Sequence, residues 1–353
     1  MSVTVASRDR VRRARTRVID VEPLRIGVLG ASRIAANAIV GPAQAVGARL
    51  VAVAARDRSR AVAFAAAHGV EQVVDTYSDV LNHPDVEVVY NPLANGLHAP
   101  WNLAAVTAGR HVLSEKPFAS DAQEAAEVRD AGRSAGVVVA EAFHYRYHPL
   151  MLRVIDLVRS GQIGELLAVR TVADIRAPGN QDPRWSYALA GGAIMDIGCY
   201  GLHAHRVLAP WAGGEPRVAD ARGGERAGSL GVDEWSDVDL TFPSGATGTA
   251  HCSMAADEVT MTLEITGTRG SLRAENFILP HLDDRLTVRT DGTDRVEHLG
   301  TRPSYCYQLD SFTSAVRGGT GLPTDSDDAV TTMQLVDRAY EALGLGPRPR
   351  SQL

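Results

Sequence analysis

The chain of 353 residues is long enough for two domains, and its 45% hydrophobic and 22% charged residues are the proportions of an ordinary globular protein. The formal net charge of −6 gives no sign of a nucleic-acid partner, and no apolar run is long enough to span a membrane. Three scattered cysteines, Cys199, Cys252 and Cys306, disfavour a disulfide framework or structural zinc and favour a reducing cytoplasm.

Residues 1–23 form an arginine-rich leader that lacks the apolar core of a secretion signal. We expect a disordered tail or a misassigned start, with a basic interaction arm or a targeting segment as the alternative.

From Leu24 onward, short apolar runs alternate with helical patterns. The runs cover 24–30, 49–55, 86–92, 111–117 and 137–143, and the helical patterns include 58–69, 98–109 and 120–136. This alternation indicates βαβ units around a parallel sheet. We therefore predict an α/β fold that begins with a doubly wound, Rossmann-type dinucleotide-binding domain over residues 24–143.

A different pattern follows residue 144. After a helix around 148–160, apolar and polar residues alternate in segments 165–175, 237–245, 260–267 and 284–290. Such alternation is typical of an open, mainly antiparallel sheet with one exposed face. We predict an α+β substrate and oligomerisation domain over 144–325, and a C-terminal helix and tail over 326–353 that pack back on the core.

The turn after the first run reads Gly-Ala-Ser-Arg-Ile-Ala (30–35), a degenerate form of Gly-x-Gly-x-x-Gly. Small residues let the backbone approach a pyrophosphate, which the following helix amides bind. A plain tight turn would read the same. The residues predicted to bind the dinucleotide here are Gly30, Ala31, Ser32, Arg33 and Ile34.

The end of the second run indicates which dinucleotide is bound. An NAD site usually has an acidic residue there for the ribose 2′-hydroxyl, but this chain has Arg56, followed by Arg60. Arginine suits a 2′-phosphate, although Arg56 as a solvated loop charge is the other interpretation. Asp57 is one position late and could still point inward, so we predict NADP as the preferred cofactor and NAD as the alternative.

Lys116 is the single lysine among 36 strongly basic residues. It follows the fourth run, at the carboxyl edge where open α/β sheets hold ligands. Lysine is compact and its pKa can be lowered for proton transfer, so we predict a role in the chemistry rather than chance survival. Pro117 favours an extended backbone at Lys116. Glu115 either balances the ammonium charge or forms a weak surface ion pair.

The segment Ser-Glu-Lys-Pro (114–117), preceded by NPLANGLHAPWNLAAVTAGRHVL (91–113) and followed by EAFHYRYHP (141–149), resembles the Gfo/Idh/MocA oxidoreductases. The stretch GGAIMDIGCYGLHAHRVL (191–208) is similar to the second signature of that family. Asp196 and Tyr200, four residues apart, would share one helix face. The resemblance runs from about residue 24 to residue 343.

The resemblance implies an NAD(P)-dependent oxidoreductase that transfers a hydride between nicotinamide C4 and a sugar, cyclic polyol or dihydrodiol. Lys116 would be the electrostatic anchor, Tyr200 the acid/base, and Asp196 a substrate-holding or orienting residue. The ammonium, within about 4–6 Å, is expected to lower the pKa of Tyr200. Residues implied beside the nicotinamide are Asn91, Pro92, Asn95, His98 and Glu115, and those beside the substrate are His144, Arg146, Arg184 and Trp185.

Two other classes stay open: an NAD-dependent glycosidase that keeps its cofactor bound without net turnover, and a non-catalytic dinucleotide sensor, against which Lys116 and Tyr200 argue. A metal is not expected, because His203 and His205 are two residues apart and cannot share a helix face. The exposed sheet face predicts a homodimer or homotetramer.

Overall fold

The computed structural model describes residues 22–290 and 292–353. Most of the arginine-rich leader, and the prediction made for it, lies outside the described residues. Within the described residues, no helix combines the length and the apolar content needed to cross a membrane.

The first part of the chain forms a six-stranded parallel sheet with the order β3-β2-β1-β4-β5-β6. The order changes direction between β1 and β4, so the carboxyl ends of these strands open the crevice where doubly wound sheets bind ligands. The predicted Rossmann-type fold is therefore confirmed. The strands are β1 (Arg25–Leu29), β2 (Arg49–Ala54), β3 (Gln72–Val73), β4 (Val88–Asn91), β5 (His111–Ser114) and β6 (Val139–Glu141).

Helices cover both faces of this sheet. Leu50 and Val51, adjacent on β2, are both buried but belong to separate apolar clusters on opposite faces, which explains the continuous apolar runs. A π-helical turn, Ala36–Val40, joins the first two helices into one segment. The helices are α1 (Arg33–Ala35), α2 (Gly41–Val46), α3 (Arg58–His68), α4 (Tyr77–Asn82), α5 (His98–Thr107) and α6 (Ala122–Ala135).

The second part of the chain forms an eight-stranded sheet with the order β14-β13-β12-β11-β7-β10-β9-β8. Of its described strand pairs, β7 with β10 is parallel and the others are antiparallel, which confirms the mainly antiparallel sheet. The strands are β7 (Leu166–Asp174), β8 (Arg217–Glu225), β9 (Asp233–Thr241), β10 (Thr247–Ser253), β11 (Thr260–Gly267), β12 (Gly270–Ala274), β13 (Arg285–Thr290) and β14 (Thr293–His298).

Four helices complete the fold and join its two parts. They are α7 (Pro149–Arg159), α8 (Cys199–Val207), α9 (Ser304–Gly318) and α10 (Ser326–Ala342). Helix α8 packs on β7 and β10, whereas α9 packs on α2 and α10 packs on α6. The chain between α9 and α10 also lies along β6, where the Glu141 N–H donates to the Thr324 backbone oxygen at 2.9 Å.

Candidate active site

Lys116 extends from the carboxyl end of β5 to the segment that leads into α8. Its Nζ donates to the backbone oxygen of Asp196 at 2.5 Å and lies 3.5 Å from the Asp196 carboxylate. Asp196 belongs to a π-helical turn, Ile194–Gly198. Both side chains are 14% exposed, so this ion pair is largely shielded from water.

Tyr200, in the first turn of α8, completes this group. The Lys116 ammonium lies 5.3 Å from the centroid of the Tyr200 ring, and the phenol hydroxyl lies 3.2 Å from His144 Nε2. The ring packs edge-on to Phe143, and Tyr200 is only 4% exposed. The structure thus brings together Lys116, Asp196, Tyr200 and His144, which are up to 84 positions apart in the sequence.

Lys116 is a fixed positive charge in this environment. Burial alone disfavours the ammonium, but the neighbouring Asp196 carboxylate, together with Cys199 and Glu115, raises the pKa of Lys116 above its ordinary value. The side chain therefore stays protonated at neutral pH. This suits an electrostatic anchor better than a group that transfers protons itself.

The prediction for the Tyr200 phenol was wrong in its sign. Burial raises the pKa of Tyr200 well above its ordinary value, and negative charge from Glu115 and Asp196 adds to that increase. Desolvation therefore outweighs the ammonium 5.3 Å from the ring. Tyr200 is a neutral hydrogen-bond donor at neutral pH.

Glu115 is a buried residue, only 6% exposed, rather than half of a surface ion pair. Its carboxylate accepts a hydrogen bond from the Tyr90 hydroxyl at 2.9 Å. Burial raises the pKa of Glu115, although the adjacent Lys116 acts in the opposite direction. Of the two interpretations drawn from the sequence, charge balance beside the ammonium fits this geometry.

Arg184 connects the Lys116–Asp196 pair with the cofactor-side turn. One of its nitrogens lies 3.4 Å from Asp196 Oδ2, and its Nε donates to Asp182 Oδ1 at 2.9 Å. The other Asp182 oxygen accepts from Arg33 at 3.2 Å. The neighbouring Trp185 is buried. Arg184 therefore belongs to the charge network of the site. The described contacts of Trp185 are with Pro178 and Arg226, and its predicted substrate role stays a prediction.

At the first βα turn, where the dinucleotide pyrophosphate is predicted to bind, the backbone conformation favours glycine. Gly30 has φ +91°, and a Cβ atom at this position would lie 3.1 Å from the Leu93 side chain, which favours glycine. Ser32 Oγ is shielded from solvent and has no hydrogen-bond partner within the described chain. A buried hydroxyl beside the start of a helix fits a pyrophosphate oxygen. The Arg33 and Ile34 side chains are exposed.

The turn after β2 also fits the predicted 2′-phosphate. Arg56 is exposed and makes no hydrogen bond or ion pair with any described residue. Asp57 Oδ1 accepts from the Ser59 backbone N–H at 2.9 Å and from its hydroxyl at 2.7 Å, so this carboxylate caps α3. Arg60 donates to the Ala31 backbone oxygen at 2.9 Å and holds the first turn against the second.

Hydrogen bonds to other parts of the protein hold the loop after β4 in place. The Asn91 amide donates to the His98 backbone oxygen at 3.0 Å, and burial lowers the pKa of the His98 ring to about 4. Pro92 is also buried. Asn95 Nδ2 donates to the Ala190 backbone oxygen at 3.1 Å and so links the loop to the second part of the chain. Asn91 and His98 support the loop, and their predicted cofactor contact remains a prediction.

The remaining histidines near α8 have protein partners. His203 lies 2.7 Å from the Tyr145 hydroxyl and 3.0 Å from an Asp328 oxygen, whereas His205 contacts backbone oxygens. In the described chain, no group of three or more His, Cys, Asp or Glu side chains is arranged to hold a metal. Arg146 is partly exposed, and its predicted substrate role stays a prediction.

Several side chains of the site were not identified from the sequence. Ser304 Oγ lies 2.8 Å from His144 Nδ1, and the Tyr305 ring centroid lies 3.9 Å from that of His144. His281 lies beyond Ser304, at 3.5 Å. These residues are more than 130 positions from His144. No local motif marks them, because Ser304 and Tyr305 come here with α9 and His281 with the loop between β12 and β13.

Comparison with known proteins identifies the family to which the chain belongs. Residues 24–143 match the oxidoreductase family with an NAD-binding Rossmann fold, and residues 151–273 match the GFO/IDH/MocA C-terminal domain. A D-xylose 1-dehydrogenase (NADP(+)) of Haloferax volcanii is 35% identical over 326 residues, 92% of this chain and 98% of that protein. A dTDP-3,4-didehydro-2,6-dideoxy-alpha-D-glucose 3-reductase of Saccharopolyspora spinosa is 31% identical over 93% and 98% of the two chains.

A solved structure supports the same assignment. A 3-ketoreductase from Actinomadura kijaniata, crystallised with NADP and TDP-benzene, superposes with a TM-score of 0.82 at 27% identity, over 94% of this chain and all of that one. The family expected from the two signatures is confirmed. The chain belongs to the Gfo/Idh/MocA family and is an NAD(P)-dependent oxidoreductase that acts on CH–OH or keto groups.

Proposed function

We propose that this protein is an NADP-preferring dehydrogenase or reductase of a sugar, cyclic polyol or dihydrodiol. The observation that carries the proposal is the buried pair of Lys116 and Tyr200, with the ammonium 5.3 Å from the phenol ring at the carboxyl edge of the parallel sheet. A fixed cation beside a neutral phenol is the combination needed to stabilise and protonate a carbonyl oxygen.

The choice of NADP rests on the turn after β2. Arg56 is exposed and without a partner among the described residues, while Asp57 is engaged in capping α3. A guanidinium suits a 2′-phosphate, and the Asp57 carboxylate, whose Oδ1 caps α3, is less available to a ribose 2′-hydroxyl. The NADP named for the Haloferax volcanii relative supports the same choice.

In the mechanism, the bound nicotinamide supplies or accepts the hydride. In the reductive direction, the Tyr200 hydroxyl donates its proton to the carbonyl oxygen, and the Lys116 ammonium stabilises the charge that develops there. Asp196 holds the ammonium through its backbone oxygen at 2.5 Å. Oxidation of an alcohol follows the same path in reverse.

The experiment compares Tyr200→Phe and Lys116→Arg with the unmodified enzyme. Fluorescence titration measures NADPH and NADH binding, and absorbance at about 340 nm follows turnover with sugars, inositols, keto-sugars and dihydrodiols. We expect NADPH affinity to change less than about threefold and kcat to fall about a hundredfold or more. Near-normal turnover by either variant would contradict the assigned roles. Tight cofactor binding with no net turnover across the panel would instead favour the glycosidase or sensor classes.

We also propose that copies of this chain associate through the uncovered face of the eight-stranded sheet. Residues such as Arg170, His251 and Glu264 lie on the central strands of this sheet and are exposed or partly exposed. A sheet face without a covering layer suits association with a second copy. Light scattering after gel filtration distinguishes a dimer or tetramer from a monomer, and an Arg170→Glu variant tests whether this face is responsible.

A further inference from the structure

We propose that His144, Ser304 and His281 form a proton relay between Tyr200 and solvent. The proposal rests on the acid/base role assigned to Tyr200 above and extends it. The reaction needs these three residues whenever Tyr200 exchanges its proton with solvent between turnovers.

The relay is a continuous chain of polar contacts. The Tyr200 hydroxyl lies 3.2 Å from His144 Nε2, His144 Nδ1 lies 2.8 Å from Ser304 Oγ, and Ser304 Oγ lies 3.5 Å from His281 Nδ1. His144 and Ser304 are buried, whereas His281 is partly exposed. The contacts therefore lead from the buried phenol to the surface.

Such a route is required because Tyr200 is shielded from water. Its phenol is protonated at neutral pH, since burial raises its pKa well above the ordinary value. To accept a proton from an alcohol, Tyr200 must give up its own proton at the same time. His144 Nε2 is the side-chain acceptor in contact with that hydroxyl.

The proton balance of the relay is simple. During oxidation, the alcohol proton passes to the Tyr200 oxygen while the tyrosine proton passes to His144 Nε2. The proton on His144 Nδ1 passes to Ser304 Oγ, and the serine proton passes to His281 Nδ1. His281 then releases its Nε2 proton to water. The substrate carbon loses a hydride to the nicotinamide, one proton reaches solvent, and reduction reverses every transfer.

The surroundings of His144 suit a group that passes a proton without retaining it. Burial, followed by the charges of His281, Lys116 and His148, lowers the pKa of His144 well below its ordinary value. The neutral ring has two tautomers, and each keeps both contacts with opposite directions of donation. The Tyr305 ring, with its centroid 3.9 Å from that of His144, fixes the imidazole plane.

The decisive variant is Ser304→Ala, which interrupts the relay without touching Tyr200. We expect kcat for alcohol oxidation at pH 7 to fall about tenfold or more, with NADP and substrate affinity unchanged. The solvent deuterium isotope effect on kcat should increase, and added imidazole buffer should restore part of the rate. Ser304→Thr, which keeps a hydroxyl, should retain kcat within about twofold. Ser314→Ala removes an exposed hydroxyl from the same helix and is the matched control.

The outcomes separate the relay from the proposed function. If Tyr200→Phe is inactive but Ser304→Ala has the kcat, isotope effect and buffer dependence of the unmodified enzyme, the relay is wrong and the role of Tyr200 stands. If Tyr200→Phe keeps its activity, the acid/base role of Tyr200 in the proposed function fails, and the relay fails with it. Should Ser304→Ala not fold, His281→Asn at the partly exposed end replaces it: a slower, buffer-dependent kcat supports the relay, and an unchanged kcat overturns it.

Discussion

Asp196 determines the ionisation of Lys116, and its substitution has a predictable pH signature. The carboxylate opposes the effect of burial and raises the pKa of the ammonium. In Asp196→Asn this support is lost, so the pKa of Lys116 falls, and the alkaline limb of the kcat/KM profile should move to lower pH. We also expect kcat to fall about tenfold at neutral pH. The measurement is a pH–rate profile from about pH 6 to pH 11.

Asp182→Asn provides the control for that experiment. The Asp182 carboxylate pairs with Arg184 at 2.9 Å and with Arg33 at 3.2 Å. It makes no described contact with Lys116. Its substitution should therefore leave the alkaline limb in place. An unchanged alkaline limb in Asp196→Asn as well would show that the ammonium is not the titrating group.

A second prediction for a single residue concerns Arg56, whose side chain makes no hydrogen bond or ion pair with a described residue. Arg56→Ala should weaken NADPH binding about tenfold or more and leave NADH binding within about twofold, since only NADPH has the 2′-phosphate. Arg58→Ala is the matched control, because the exposed Arg58 pairs with Asp75 at 2.8 Å. Equal losses of NADPH and NADH affinity would assign Arg56 to another part of the cofactor.

At the level of elements, His251 links three strands of the second sheet through ion pairs with two carboxylates. From β10 it contacts Asp174 on β7 at 3.1 Å and Asp237 on β9 at 2.7 Å. The adjacent carboxylate of Asp174, followed by that of Asp237, raises the pKa of His251 to about 9, against the effect of burial. Because the folded-state pKa lies above the unfolded value, this stabilisation is complete below about pH 6.5 and is lost as the pH rises through about 9.

His251→Gln should therefore destabilise the protein in a pH-dependent way. The site is about one-third exposed, so we expect a loss of only about 1 kcal/mol in the free energy of unfolding at pH 6, vanishing by about pH 10. Urea unfolding at both pH values measures the difference. His298→Gln, at an exposed imidazole paired with Asp284, should show a much smaller effect. A loss that is equal at pH 6 and pH 10 would exclude the charge interaction as its cause.

The elements themselves were largely predictable from local patterns. The apolar run 49–55 becomes β2 (Arg49–Ala54), and the pattern 58–69 becomes α3 (Arg58–His68), which ends before Gly69 with φ +69°. Edge strand β8 was missed, because its residues are mostly exposed or partly exposed and carry no clear alternation. The π-helical turns were missed as well, since the sequence Ile-Met-Asp-Ile-Gly of the second turn is compatible with an ordinary helix.

The site was predictable only where its residues follow strands or belong to the two signatures. Lys116 and Tyr200 meet as expected, but the sign of the Tyr200 pKa shift depends on burial, which no short motif reports. Ser304 reaches the site through the packing of α9, and His281 reaches it from the loop between β12 and β13. Long-range contacts of this kind depend on the assembled fold.

At the level of the whole molecule, the C-terminal segment 347–353 is a strap between the two parts of the fold. Arg350 pairs with Asp121 at 2.6 Å on the first part, and Ser351 Oγ donates to the Ala188 backbone oxygen at 3.2 Å on the second. Arg348 is buried and stacks 3.9 Å above the Tyr340 ring. The strap thus lies next to the loop that contains Asn95, whose side chain contacts the second part of the chain.

Removal of this strap should loosen that junction as well as destabilise the protein. Without residues 347–353, the fold loses the buried Arg348 and the bidentate Arg350–Asp121 pair, so the apparent unfolding temperature should fall by about 4 °C or more. The loop around Asn95 should also become more mobile, which raises the KM for NADP(H) more than it lowers kcat. Thermal denaturation and steady-state kinetics measure the two effects. Removal of residues 352–353 alone, where Leu353 is exposed, is the control, and equal behaviour of both truncations would refute the strap.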